Sequence, residues 1–234
     1  MPFRQRLADA ARFALRPTFV AQPMAWGPAA ALALLTLLAL DLALGQLALR
    51  LGEALDGLVP ILPDPAGEDI TFAEDSFLSL LFAPVMEELL FRGWLSGRIA
   101  ALRFALYGLA ALALFMASLF TGPDTAAALA LAGVGTVIAG LVHWSRTRHR
   151  DRAVPAWFIR HFGTFVWGST LLFGLVHLGN YEPLAHPLGV LVVLPQTIGG
   201  LLLAYTRTRL GLGAAIVHHA AYNAVFLMGE YGWW

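Results

Sequence analysis

Seven stretches of this chain are apolar for long enough to cross a bilayer, and they fix what it can become. They run over about residues 28–49, 77–98, 104–120, 126–144, 156–178, 187–205 and 212–228. A membrane helix needs about 20 predominantly apolar residues. Hydrophobic residues make up 59% of the 234, and the mean hydropathy is +0.70. That lies far from a soluble domain. The predicted fold is all-α, a polytopic transmembrane helix bundle of about seven spans over 28–234, behind a cytoplasmic arm over 1–27.

Charge orients the bundle. All fifteen basic residues are Arg. Arg4, Arg6, Arg12 and Arg16, then Arg98 and Arg103, then Arg146 to Arg160, then Arg207 and Arg209 fall on one side of an alternating seven-span path. The other side has only Arg50, at the edge of a span, and carries the acidic loop 52–75, which includes Glu68 and Asp69. By the positive-inside rule the N-terminus is cytoplasmic and the C-terminus outside, in the cell (inner) membrane. Trp26, Trp94, Trp144, Trp157, Trp233 and Trp234 fall near span ends, as an aromatic belt would. The arginines of residues 4–16 are spread among apolar positions rather than placed ahead of an apolar core. That pattern reads as an interfacial amphipathic helix, not a signal peptide. With no cysteine in the chain, a disulfide framework, a thiolate metal site and a cysteine nucleophile are excluded.

The second run is unusual, because Glu87 and Glu88 sit near its middle. Each acid at such depth costs about 2.5–3.5 kcal/mol on insertion scales, so the pair marks a functional site. Glu88 and Arg92 are four apart and share a helix face, which suits an ion pair. Glu87 points about 100° away and is left as the reactive group.

Two other spans carry polar groups in apolar surroundings. The fifth ends in His177. The seventh holds His218, His219 and Asn223, with His219 and Asn223 on one face and His218 turned away. Imidazole, carboxylate and carboxamide can jointly hold a water or a divalent metal. Glu87 could take a proton from that water, and Asn223 could donate to the oxyanion of an attacked amide. These are the parts of an amide hydrolase. Glutamate-activated water is favoured, and no cofactor is favoured. Glu87, His177 and His219 could alternatively bind a metal such as zinc, although Asn is a poor zinc ligand. His143, His149, His161 and His186 lie near loops and are weaker candidates. Gly133, Gly135 and Gly140 of the fourth span would allow close helix packing.

Glu87-Glu88-x-x-x-Arg92, Phe173-x-x-x-His177 and His219-x-x-x-Asn223 resemble the three signature motifs of the CAAX protease and bacteriocin-processing family. That family of intramembrane proteases, also called Abi, includes the type II CAAX prenyl endopeptidases. The resemblance covers about 77–228. It implies a membrane endopeptidase in which Glu87 activates water, Glu88 and Arg92 support it, and His177, His219 and Asn223 complete the site. Phe173 would pack beside His177. One departure is the spacing. Ninety residues separate Glu87 from His177, and about 101–150 looks like an inserted hairpin. Adding two spans leaves each motif on its own side of the membrane. The implied partners are the bilayer and a membrane protein or peptide, with no nucleic acid. Two other classes fit a polar bundle: a cation-binding transporter and a non-catalytic immunity protein. The first would show inverted repeats and a second polar layer, which are not seen here. The second does not need Glu87, His177, His219 and Asn223 together.

Overall fold

In the computed structural model the apolar runs fold as helices. The structure describes residues 3–67, 70–151 and 153–233. Glu68 and Asp69 of the acidic loop, Arg152 of the basic turn and Trp234 of the aromatic belt therefore lie outside the described residues. No strand forms among the described residues; there is an isolated bridge between Pro65 and Tyr181. Among the described residues six helices are long and apolar enough to cross a membrane: Pro28–Asp56, Ile99–Ser118, Pro123–Arg150, Phe162–Asn180, Pro187–Leu210 and Leu212–Glu230. The protein is thus an all-α, multi-pass membrane protein.

The chain divides into two compact units. One comprises Met1–Glu88 with Phe162–Trp234, the other Leu89–His161. In the first, α9 (Leu194–Leu210) is the central helix, packed by α2 (Pro28–Asp56), α8 (Phe162–Val176) and α10 (Leu212–Glu230). Lipid tails are as apolar as leucine, so helix association here depends on close approach and small residues. Glycines supply it at two crossings. A Cβ at Gly174 of α8 would collide with the Thr197 side chain of α9, and one at Gly45 of α2 would collide with the Tyr222 hydroxyl of α10. Gly211, with φ of 98°, makes the turn that folds α10 back onto α9.

The amphipathic arm forms α1 (Phe3–Leu15), but its inner face is turned to protein. Ala10, Phe13 and even Arg6 are buried. Arg6 donates to the Ala29 carbonyl at 3.1 Å, and Phe13 meets Tyr205 and Phe162 edge-on. Asp9 accepts hydrogen bonds from the Tyr205 hydroxyl at 2.8 Å and from Arg209 Nε at 3.1 Å. Burial works against ionisation of Asp9, but these donors and the Arg209 charge outweigh it and hold its carboxyl below the usual range. The arm is therefore fastened to the C-terminal end of α9.

The second expected span departs most from expectation. It is helical over Phe72–Ser96 but broken into α3 (Phe72–Phe77), a π turn (Leu78–Phe82), α4 (Ala83–Glu87), a second π turn (Glu88–Arg92) and a 3-10 turn (Gly93–Ser96). It opens on a capping box, Thr71 with Glu74. The first π turn precedes Pro84, which has no N–H to give to the preceding turn. There the Ala83 N–H reaches back five residues to the Leu78 carbonyl. Such π turns are frequent at functional sites. The fifth expected span is likewise divided, into α7 (Ala156–Arg160) and α8, and the sixth begins as a 3-10 segment, Pro187–Val193, before α9.

In the second unit α5 (Ile99–Ser118) and α6 (Pro123–Thr147) form a hairpin. Cβ atoms at Gly133 and Gly140 would run into Phe115 and Tyr107, so these two glycines mark the close contact, while Gly135 faces open space. His143 is engaged by the Tyr107 hydroxyl at 3.1 Å.

Candidate active site

Three elements of the first unit bring the polar residues together. Glu87 ends α4, His177 opens the 3-10 turn that continues α8 to Asn180, and His219 and Asn223 lie one turn apart on α10. Glu87 Oε2 is 3.9 Å from His177 Nε2 and 3.8 Å from His219 Nε2. Both separations exceed a hydrogen bond, so the carboxylate faces the two rings across a gap. Oε2 is buried and makes no direct hydrogen bond.

The far side of each ring is held. His177 Nδ1 lies 2.7 Å from the Phe173 carbonyl. A carbonyl only accepts, so Nδ1 carries the hydrogen and Nε2 is turned to Glu87. His219 Nδ1 lies 3.1 Å from Glu88 Oε1, and the Glu88 side chain is fully buried. Glu88 therefore has a partner that helix spacing did not reveal, the His219 imidazole. Phe173 stands between the two rings, 4.6 Å from His177 and 5.9 Å from His219 between centroids. Arg92, assigned by spacing to support Glu88, falls in the second unit and is itself buried.

Asn223 is fixed by the same backbone irregularity that shapes α4. Its Nδ2 donates to the Ser79 carbonyl at 2.8 Å. In the register set by the first π turn, the donor to that carbonyl would come from residue 84, which is proline. The Asn223 amide takes its place. An amide nitrogen has two hydrogens, so one remains for a ligand.

Glu87, His177, His219 and Asn223 line one cavity of about 490 Å³. Its other walls come from Asp41 and Leu49 of α2, Asn180 and Tyr181 after α8, Pro195, Gln196 and Gly199 of α9, and Tyr222 and Glu230 of α10. Asp41 of α2 and His218 of α10 approach to 3.3 Å between Oδ2 and Nε2. The signal was there, an acid in the first span and a histidine next to His219, but nothing in the spacing joined positions so far apart. Of the weaker histidines, His161 is engaged with the Trp157 carbonyl and His186 with the Leu188 N–H.

Among the described residues no group of three or more His, Asp or Glu side chains is placed to hold a metal ion.

Comparison with known proteins agrees with the motifs. The family model for type II CAAX prenyl endopeptidases of the Rce1-like kind matches residues 70–225. No curated protein matches the chain, and no solved structure does. The matched region covers all three motifs and most of the chain, so this protein belongs to the Rce1-like type II CAAX prenyl endopeptidase family, a family of membrane-embedded proteases.

Proposed function

We propose that this chain is an intramembrane endopeptidase that hydrolyses a peptide bond of a membrane-associated protein or peptide, with water activated by Glu87. The carrying observation is that two imidazoles, each fixed from behind, face one carboxylate oxygen at 3.8 and 3.9 Å. A water above that triangle is within hydrogen-bond reach of Glu87 and both rings. Glu87 takes one proton from the water as the oxygen attacks the carbonyl carbon. The free Asn223 N–H is offered to the resulting oxyanion. The C–N bond then breaks, the proton passes from Glu87 to the leaving amine, and a new carboxyl group forms. The water's second hydrogen is accepted by one of the two Nε2 atoms, which holds it on course, and the other ring closes the site beside it. No step passes through a metal.

The test is product identification. Purified protein in liposomes is incubated with a library of membrane-inserting and prenylated peptides, and products are read by mass spectrometry. Discrete cleavage that persists in chelator is expected. Stoichiometric zinc, with activity lost on its removal and regained on its return, would overturn the metal-free route; no product from any peptide would overturn the protease reading.

Access is proposed from the non-cytoplasmic side. The cavity is lined by the middle and C-terminal half of α2, the C-terminal extension of α8, the N-terminal part of α9 and the C-terminal half of α10. The Asp9–Arg209 cluster marks the other end of α9. On the charge rule that basic end is cytoplasmic. The chain lacks cysteine, so His177→Cys and Asn180→Cys give unique labels. Both are expected to react with membrane-impermeant reagent added outside. Labelling only from the cytoplasmic face would reverse the topology.

A further inference from the structure

The cavity that holds Glu87 is lined by three acids, Asp41, Glu87 and Glu230, and by no Arg or Lys. Glu87 belongs to the proposed chemistry; Asp41 does not. Asp41 is 1% exposed. Its Oδ2 lies 3.3 Å from His218 Nε2, without the alignment of a hydrogen bond, and His218 Nδ1 is held by Thr206 Oγ1 at 3.0 Å. His218 and Thr206 are fully buried, so this backing is internal to the fold. Asp41 Oδ1 is also buried and makes no hydrogen bond. A buried polar atom without a partner costs free energy, and a carboxylate oxygen more than most. The neighbour of Oδ1 is Gly199, on which a Cβ would stand only 3.3 Å away. Glycine keeps that space clear, and Gly199 and Asp41 line the cavity together.

An acceptor with a buried imidazole behind it, lacking a donor of its own and set in an acidic wall, calls for a ligand that brings a donor and positive charge. We infer that Asp41 is a substrate-recognition residue whose Oδ1 receives the ammonium or guanidinium of a Lys or Arg close in sequence to the scissile bond. The inference rests on the protease reading, because sharing a cavity with Glu87 is what places the cation near the bond cut. It also implies discrimination against acidic side chains at that position.

Binding tests this apart from catalysis. The full-length Glu87→Gln protein in nanodiscs is titrated with short apolar fluorescent peptides identical except for a central Lys, norleucine or Glu. Affinity is expected in the order Lys, norleucine, Glu, with at least about tenfold between the first two, the scale of a charge-assisted hydrogen bond. Asp41→Asn in the same background should bring the Lys-to-norleucine ratio close to one. Gly199→Ala, which crowds Oδ1 and keeps the carboxylate, should lower the ratio as well and serves if the Asn variant folds poorly. A ratio is unaffected by how much of a sample is folded. Equal affinity for the Lys and norleucine peptides, or a ratio unchanged in both variants, would overturn the inference. If Lys is preferred in binding but wild-type protein cuts none of the peptides, the protease reading fails and the cation site stands.

Discussion

Replacing Glu87 by Gln is expected to lower the turnover of a cleavable membrane peptide by about 10²–10⁴-fold, the usual contribution of a positioned general base. The substitution keeps size and shape and removes only the ability to take a proton. Glu87 Oε2 makes no direct hydrogen bond, so no fixed partner is orphaned by the change. Removing a charge from a membrane segment also lowers its insertion cost. The variant should therefore fold at least as well as wild type, and the loss should lie in kcat. Initial rates in liposomes with a thermal melt on the same preparation separate the two effects. A rate within a few-fold of wild type would remove Glu87 from the base role.

The sequence carried the ingredients of the site better than its arrangement. Glu87, His177, His219 and Asn223 were legible because ionisable and amide groups are costly in apolar spans, and cost makes them conspicuous. Their shared cavity was not legible, since residues from three separate spans meet only through tertiary packing. The spacing of Glu88 and Arg92 assumed a regular α-helix where a π turn forms, and Glu88 meets His219, 131 positions away, which no local pattern encodes. The second span was read as one helix because its hydropathy is continuous. Pro84 was the clue to the break, and it carried more than a kink: the π turn before it leaves the Ser79 carbonyl for Asn223. The amphipathic arm was recognised from its periodicity. Its inner face packs on α9, because Asp9 finds Tyr205 and Arg209 there, and a hydrophobic pattern by itself cannot distinguish a lipid surface from a protein one. Asp41 was visible as an acid in a span. Only the contact with His218 and the clearing at Gly199 give it a direction.

Glu88 is expected to act through His219, and its variants should grade accordingly. Glu88→Ala removes the carboxylate 3.1 Å behind His219 Nδ1, so the ring loses the group that fixes its tautomer and angle. A fall of about 10–100-fold in kcat per folded molecule is expected, the size seen when groups that orient a working histidine are removed. KM should change little, because Glu88 is fully buried and does not line the cavity. Glu88→Gln keeps an oxygen that can still accept from Nδ1–H, and should retain several-fold more activity than the alanine variant. Both should also be less stable, since breaking a buried charged contact from one side costs about 3–5 kcal/mol. Stability alone would lower the amount of active protein equally for every readout. The discriminating measurement is therefore kcat normalised to folded protein, from active monodisperse fractions of wild type, Glu88→Gln and Glu88→Ala. Equal normalised kcat in all three would reduce Glu88 to a packing group and leave His219 held by the aromatic edge of Phe173 and its own helix.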